Sequence, residues 1–211
     1  MSIFWKCFSL GTLTIVVGIS NAPGQAMPES PRLKTDLTLE DNFQSGKLEG
    51  SLTAGPLFSP IGASQHRPTI NYAVGGLQLG YMVTSPHGDG FFRGNFEIAP
   101  EAFGGGVFEG QGSYVTGATL WFRYNFLQPN WPVVPYFQVG GGFVLTDIDR
   151  QVVGQDFNFN VDAGAGIRWF LSKRWTVNLE YRFQHISNAN LGPRNVGINA
   201  SGPIAGISWF F

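Results

Sequence analysis

Four stretches of the chain alternate apolar and polar residues with a period of two. In Phe92–Ala102, Phe92, Phe96 and Ile98 alternate with Arg93, Asn95, Glu97 and Glu101. In Tyr114–Phe126, Leu120, Phe122, Tyr124 and Phe126 alternate with Thr119, Trp121, Arg123 and Asn125. Phe157–Leu171 sets Phe157, Phe159, Val161, Ile167 and Trp169 against Asn158, Asn160, Asp162 and Arg168. Trp175–Phe183 sets Trp175, Val177, Leu179, Tyr181 and Phe183 against Thr176, Asn178, Glu180 and Arg182. A two-residue period puts the two sets on opposite faces of a strand. Less regular versions run over Leu48–Phe58, Ile70–Val83, Val133–Leu145 and Ile198–Phe211, with clusters of Gly, Pro, Asn and Asp between the segments. Within Ile70–Val83 the phase breaks near Gly75-Gly76, which predicts a bulge there. Gly104-Gly105-Gly106 and Gly140-Gly141-Gly142 lack the context of a phosphate loop and predict bends or close packing.

These segments make eight predicted strands, each long enough to cross a membrane when tilted, for which ~9–11 residues suffice. The predicted fold is all-β, an eight-stranded antiparallel transmembrane β-barrel. A barrel of that size is filled by side chains and carries no channel. Arg93, Arg123, Arg168 and Arg182 then share the lumen with Glu97, Glu101, Asp162 and Glu180, and opposite signs offset the cost of burial. Trp121 and Phe170 fall on the inward face as lumen packing. Trp169 and Trp175 face outward beside a short turn, where an interfacial aromatic girdle belongs. Alternation alone also fits a soluble lipocalin-like barrel or a sandwich, with the apolar face inside and the charges in water.

Composition favours the membrane reading. Charged residues are 13% of the 211, about half the globular norm of ~25%, while aromatics reach 15% and Gly numbers 29. Lipid-facing and lumen-facing residues cancel in a barrel's average hydropathy. The formal net charge of −1 carries no nucleic-acid footprint.

The N-terminus resembles an export signal. Lys6 supplies a positive charge, Cys7–Ile19 is mostly apolar, and Gly24-Gln25-Ala26 is a small-x-small cleavage site. Cys7 is the single cysteine, so the mature chain would have no disulfide or thiol chemistry. The expected organisation is a signal peptide over 1–26, a periplasmic lead-in over 27–47 with no clear element, and an outer-membrane barrel over 48–211. The chain stops at Ile207-Ser208-Trp209-Phe210-Phe211. A terminal Phe211 after alternating apolar residues resembles the signal read by the barrel-assembly machinery, which is therefore an expected partner.

Loop lengths orient the barrel. Connections near Pro86–Gly90, Leu127–Trp131 and Ser172–Arg174 are short; those near 59–68, 104–112, 147–155 and 188–196 are longer. Short turns face the periplasm in such barrels. Both termini are then periplasmic, and the seventh strand ends outside.

Continuing the alternation of that strand puts His185 and Ser187 on its lipid-facing side, two residues apart, so their side chains can meet. Asn199 points the same way from the eighth strand. A polar trio on the outer wall at outer-leaflet depth does not suit a soluble substrate. It suits a lipid of the outer leaflet, which in Gram-negative bacteria is lipid A.

At these residues the sequence resembles the lipid A 3-O-deacylase family, eight-stranded outer-membrane barrels that hydrolyse the ester-linked acyl chain at position 3 of lipid A. The family signature is His-x-Ser-Asn-Ala, then an Asn-x-Gly turn, then a Glu. His185-Ile186-Ser187-Asn188-Ala189 matches the first part and Asn195-Val196-Gly197 the turn. The resemblance implies Ser187 as nucleophile, His185 as general base and Asn195 as oxyanion donor, with Asn188, Ala189 and Gly197 in support. Its Glu, which orients the His, is replaced by Asn199. An amide can orient a His but cannot stabilise the imidazolium by charge. Asp147, Asp149 or Asp156 from the preceding loop is a candidate substitute. The implied function is an outer-membrane serine esterase acting on lipid A or lipopolysaccharide, attenuated by the missing Glu. The alternative is a non-catalytic small barrel with a structural or lipid-binding role. No cofactor or metal is expected: His66 and His87 fall in loops on opposite sides of the membrane.

Overall fold

The computed structural model describes residues 38–59, 68–129, 131–192 and 194–211. The expected signal peptide, most of the lead-in and His66 lie outside the described residues. Eight strands close into one antiparallel barrel in chain order: β1 (Leu48–Leu57), β2 (Asn71–Met82), β3 (Gly94–Glu109), β4 (Tyr114–Phe126), β5 (Val133–Thr146), β6 (Phe157–Phe170), β7 (Trp175–Ser187) and β8 (Ile198–Phe210). The barrel shuts where Glu49–Ala54 of β1 pairs with Ala205–Phe210 of β8. Every strand is therefore paired on both sides and no edge is left open.

The faces follow the two-residue period. Phe159, Trp169, Leu179 and Phe183 face outward and exposed, whereas Glu97, Arg168 and Glu180 are buried in the lumen. An apolar outside around a charged inside is the inverse of a soluble barrel. The lumen charges pair at short range. Arg168 Nη2 lies 2.6 Å from Glu49 Oε2 and 3.1 Å from Glu97 Oε2. Arg123 Nη1 lies 2.7 Å from Glu97 Oε1. Nearer the outer end, Arg182 bridges Glu180 at 2.9 Å and Glu101 at 3.1 Å. The Trp121 indole N–H donates to Glu101 at 2.6 Å. At Gly140 an added Cβ would stand 2.9 Å from the Trp121 ring, so the bare backbone makes room for that indole.

The structure departs from the sequence reading at several points. Arg93 is not a lumen residue: it precedes β3, and its guanidinium donates to both Glu40 oxygens at 2.8 and 2.9 Å, at the rim. Glu49, not anticipated, takes its place among the lumen charges because β1 closes the barrel. The irregularity in β2 lies at Asn71/Tyr72, and the alternation is unbroken across Gly75-Gly76. Finally, Gly104-Gly105-Gly106 forms no loop. It sits within β3 opposite Tyr114–Thr116, so the β3–β4 turn spans only 110–113. The β2–β3 connection in turn is longer than expected, with a 3-10 turn at Gly90–Phe92.

Apolar residues close both ends of the charged lumen. At the end where β1 begins and β8 stops, a 3-10 turn at Leu39–Phe43, unforeseen in the lead-in, inserts Phe43 against Phe170 and Phe210. At the opposite end Leu57, Ile70, Val144, Ile186 and Ile198 pack together with Val152 and Val153 of a short helix, α1 (Arg150–Val153).

Candidate active site

Where β7 ends and β8 begins, the two strands present three polar side chains to the outside. His185 and Ser187 are part-exposed, while their strand neighbours Gln184 and Ile186 are buried in the lumen. His185 stands directly opposite Asn199 in the β7–β8 ladder. On the other flank Val161 and Phe159 of β6 face His185 and Ser187, giving the site an apolar wall.

The His185 ring is fixed through Nδ1, which lies 2.6 Å from Asn199 Oδ1. An amide oxygen can only accept, so the ring proton resides on Nδ1 and the lone pair on Nε2. That nitrogen is the one available to a neighbouring hydroxyl. Ser187 Oγ shares the face of His185, yet among the described residues no hydrogen bond joins it to Nε2. Catalytic hydrogen bonds commonly tighten only in a substrate complex.

The loop after Ser187 is unusually constrained. Asn188 is fully buried. Its Nδ2 donates to the Arg194 carbonyl at 2.7 Å, its Oδ1 accepts from Asn190 N at 2.9 Å, and its backbone N–H donates to Asn195 Oδ1 at 3.1 Å. Asn195 Nδ2 donates in turn to Asn190 Oδ1 at 2.9 Å. Ala189 and Asn190 have φ of 52° and 62°, the only positive values among described non-glycine residues. Strain of this kind costs about 1–3 kcal/mol per residue and survives where surrounding bonds enforce it.

Gly197 completes the floor. Its φ is +70°, and an added Cβ would stand 3.2 Å from His185 Cε1 and 3.1 Å from the Ile186 carbonyl. Only glycine meets both the conformation and the clearance. The turn is held from the β5–β6 loop: the Val152 carbonyl of α1 accepts the backbone N–H groups of Val196 and Gly197, each at 3.1 Å.

This brace was not anticipated from sequence. Its signal was present in Asp149-Arg150-Gln151-Val152-Val153-Gly154, an N-cap residue followed by a short helical run and a closing glycine. Asp149 does cap α1, accepting from Gln151 N at 2.8 Å. Gly154 closes it at φ +79°.

The three candidate substitute acids have other partners. Asp149 is the cap, and Asp156 pairs with Arg150 at 2.9 Å. Asp147 Oδ1 accepts from Ser113 N at 2.7 Å and Tyr114 N at 3.0 Å. Those two N–H groups hold its carboxyl below the usual carboxylate range. The residue facing His185 Nδ1 is Asn199. His87 lies in the β2–β3 connection, its backbone carbonyl accepting from Gly94 N and its backbone N–H donating to Gly94 O. Among the described residues no group of His, Cys, Asp and Glu is arranged to hold a metal.

The family described as lipid A 3-O-deacylase (PagL) matches residues 60–208. The crystal structure of the outer membrane enzyme PagL is similar at 19% identity and a TM-score of 0.53, over 75% of this chain and 97% of that one. Neisserial surface protein A (NspA) is similar at 14% identity and a TM-score of 0.55, over 79% of this chain and 98% of that one. The N-terminal β-barrel domain of Pseudomonas aeruginosa OprF is similar at 14% identity and a TM-score of 0.50, again over 79% and 98%. At such identities these structures share the fold. No curated protein matches the chain.

Proposed function

The chain belongs to the lipid A 3-O-deacylase (PagL) family of outer-membrane barrels, and from that premise we propose that it is a serine esterase removing an ester-linked acyl chain from lipid A in the outer leaflet. The observation that carries this reading is the His185 Nδ1 to Asn199 Oδ1 bond of 2.6 Å, with Ser187 two residues along the same outward face. Its tautomer leaves Nε2 ready to take a proton.

In this reading Ser187 Oγ attacks the ester carbonyl as His185 Nε2 accepts its proton. The tetrahedral oxyanion forms beside Asn195. One of the two Nδ2 protons of Asn195 is engaged with Asn190, and the other is assigned to the oxyanion. A single donor of this kind lowers the barrier by about 3 kcal/mol. Collapse breaks the ester C–O bond and expels the sugar oxygen as an alkoxide, which takes the proton from His185 and leaves as the hydroxyl. Water then releases the acyl chain from Ser187 with His185 again as base. Asn199 fixes the ring but places no negative charge beside the imidazolium, so the turnover is slow for a hydrolase of this type.

Placement on the outer wall supports a lipid substrate. The ester reaches Ser187 by lateral diffusion, with its acyl chains against β6, β7 and β8, while the filled lumen admits nothing. Asn199 in place of an acid, taken alone, favours a barrel that keeps the scaffold without the chemistry. Mass spectrometry of lipid A from cells expressing wild type or Ser187→Ala separates the two readings. Loss of one ester-linked chain in wild type only is the expected result. Unaltered lipid A in both leaves the non-catalytic barrel.

A further inference from the structure

We propose that Arg194 is an anchoring site for a phosphate group of the glycolipid whose ester reaches Ser187, an inference that rests on the lipid-substrate reading above. Three observations lead to it. The first concerns charge. The described charged residues beyond the outer ends of the strands are Asp147, Asp149, Arg150, Asp156 and Arg194, with Glu109 at the tip of β3. Arg150 is paired with Asp156 at 2.9 Å. Arg194 is the one cation there without an ion pair among the described residues, and it is exposed. Among the described residues of this end, carboxylates outnumber guanidiniums, and the unpaired guanidinium is the one beside the site.

The second concerns rigidity. Arg194 lies in a loop but its backbone does not move freely. The Arg194 carbonyl accepts from Asn188 Nδ2 at 2.7 Å, and that Asn188 is fully buried. Gly154 of the neighbouring loop presses on the same carbonyl so closely that no side chain fits between them. Asn195 and Val196, which follow, are tied to Asn188 and Val152. The base of the guanidinium is thereby set at a fixed distance from Ser187, although its tip is in solvent.

The third concerns height. Ser187 ends β7, and Arg194 sits in the loop that joins β7 to β8, past the strand ends. A phosphorylated glycolipid is ordered the same way, acyl esters lower and phosphates above them at the aqueous face. With its ester at Ser187, the phosphate lies at the level of this loop. A guanidinium is suited to the task because its planar donors match phosphate oxygens in pairs.

The test reads binding, so it does not depend on turnover. Full-length Ser187→Ala in neutral detergent is titrated with bisphosphorylated lipid A and with lipid A stripped of phosphate, each with and without Arg194→Ala or Arg194→Lys. Arg194→Ala is expected to weaken binding of the phosphorylated form about tenfold and leave the stripped form unchanged, with Arg194→Lys between. Equal weakening of both forms, or none, overturns the proposal. Phosphatidylglycerol serves as competitor: displacement as efficient as that by lipid A overturns the assignment to the glycolipid phosphate. If wild type leaves the ester intact while the Arg194 effect persists, the esterase reading falls and the anion site stands.

Discussion

The carbonyl oxygen of Val152 accepts the backbone N–H of Gly197 at 3.1 Å, and a Cβ at Gly197 would stand 3.2 Å from His185 Cε1. The ring that would act as base thus rests on a turn held by a different loop. Gly154 ends α1 with φ +79° and abuts Asn188 and the Arg194 carbonyl. Gly154→Ala should strain this residue and push the loops apart. Displacements of about 1 Å cost up to ~10²-fold in rate. We therefore expect acyl release to fall on the order of tenfold. The strand ladders are untouched, so the heat-modifiable gel shift of the folded barrel should persist. Full activity in a folded Gly154→Ala protein would remove the brace from the mechanism.

Asn199→Glu should speed ester cleavage by placing a negative charge beside the developing imidazolium. Replacing the orienting acid by its amide cost ~10⁴ in a serine protease, which bounds the gain from the reverse change. The rate of acyl release from purified lipid A in detergent is compared for wild type, Ser187→Ala and Asn199→Glu. A rise in Asn199→Glu that vanishes on adding Ser187→Ala is the expected pattern. Unchanged rates would mean that charge at this position does not limit the reaction.

Asp147 gives the outer end a pH dependence of known sign. Its carboxyl is held below the usual range by the N–H groups of Ser113 and Tyr114. A depressed carboxylate stabilises the fold above its unfolded pKa, ~3.9, and the contribution is lost as pH falls through the lower, folded value. Exchange of the Ser113 and Tyr114 amides should stay protected at neutral pH and accelerate only in that acid window, after correction for intrinsic rates. In Asp147→Asn the two amides should exchange faster at neutral pH and show no such step.

Arg168→Ala should destabilise the barrel by about 3–5 kcal/mol, because Glu49 and Glu97 would remain buried with a single guanidinium between them. Adding Glu49→Gln and restoring bulk with Arg168→Met should recover most of the loss. Unfolding midpoints in denaturant, measured in one detergent, decide the matter. A midpoint for Arg168→Ala equal to wild type would show that the pairs add nothing net.

Alternation made the strands legible because burial in a small barrel acts on every second residue. That regularity also located His185 and Ser187, since it continues past Phe183 to the strand end. It failed where local composition misleads. Gly104-Gly105-Gly106 reads as a loop, but β3 continues through it because ladder bonds to Tyr114–Thr116 need no side chain. Glu49 was missed because its strand is irregular in hydropathy, and its burial follows from barrel closure, a contact between the two ends of the fold. The pairing of His185 with Asn199 followed from register, whereas the support from Val152 did not. It depends on how two loops cross, which no period in the chain encodes.

The plugged ends bear on the permeability of the cell envelope. An ion entering from the side where β1 begins meets Phe43 wedged against Phe170 and Phe210. Past these it meets the paired guanidiniums and carboxylates of Arg123, Arg168 and Arg182 with Glu97, Glu49 and Glu101, whose charges offset one another. It then meets a second apolar seal. Shedding a hydration shell at either seal has no compensating ligand. The barrel can therefore span a membrane without opening an ion leak.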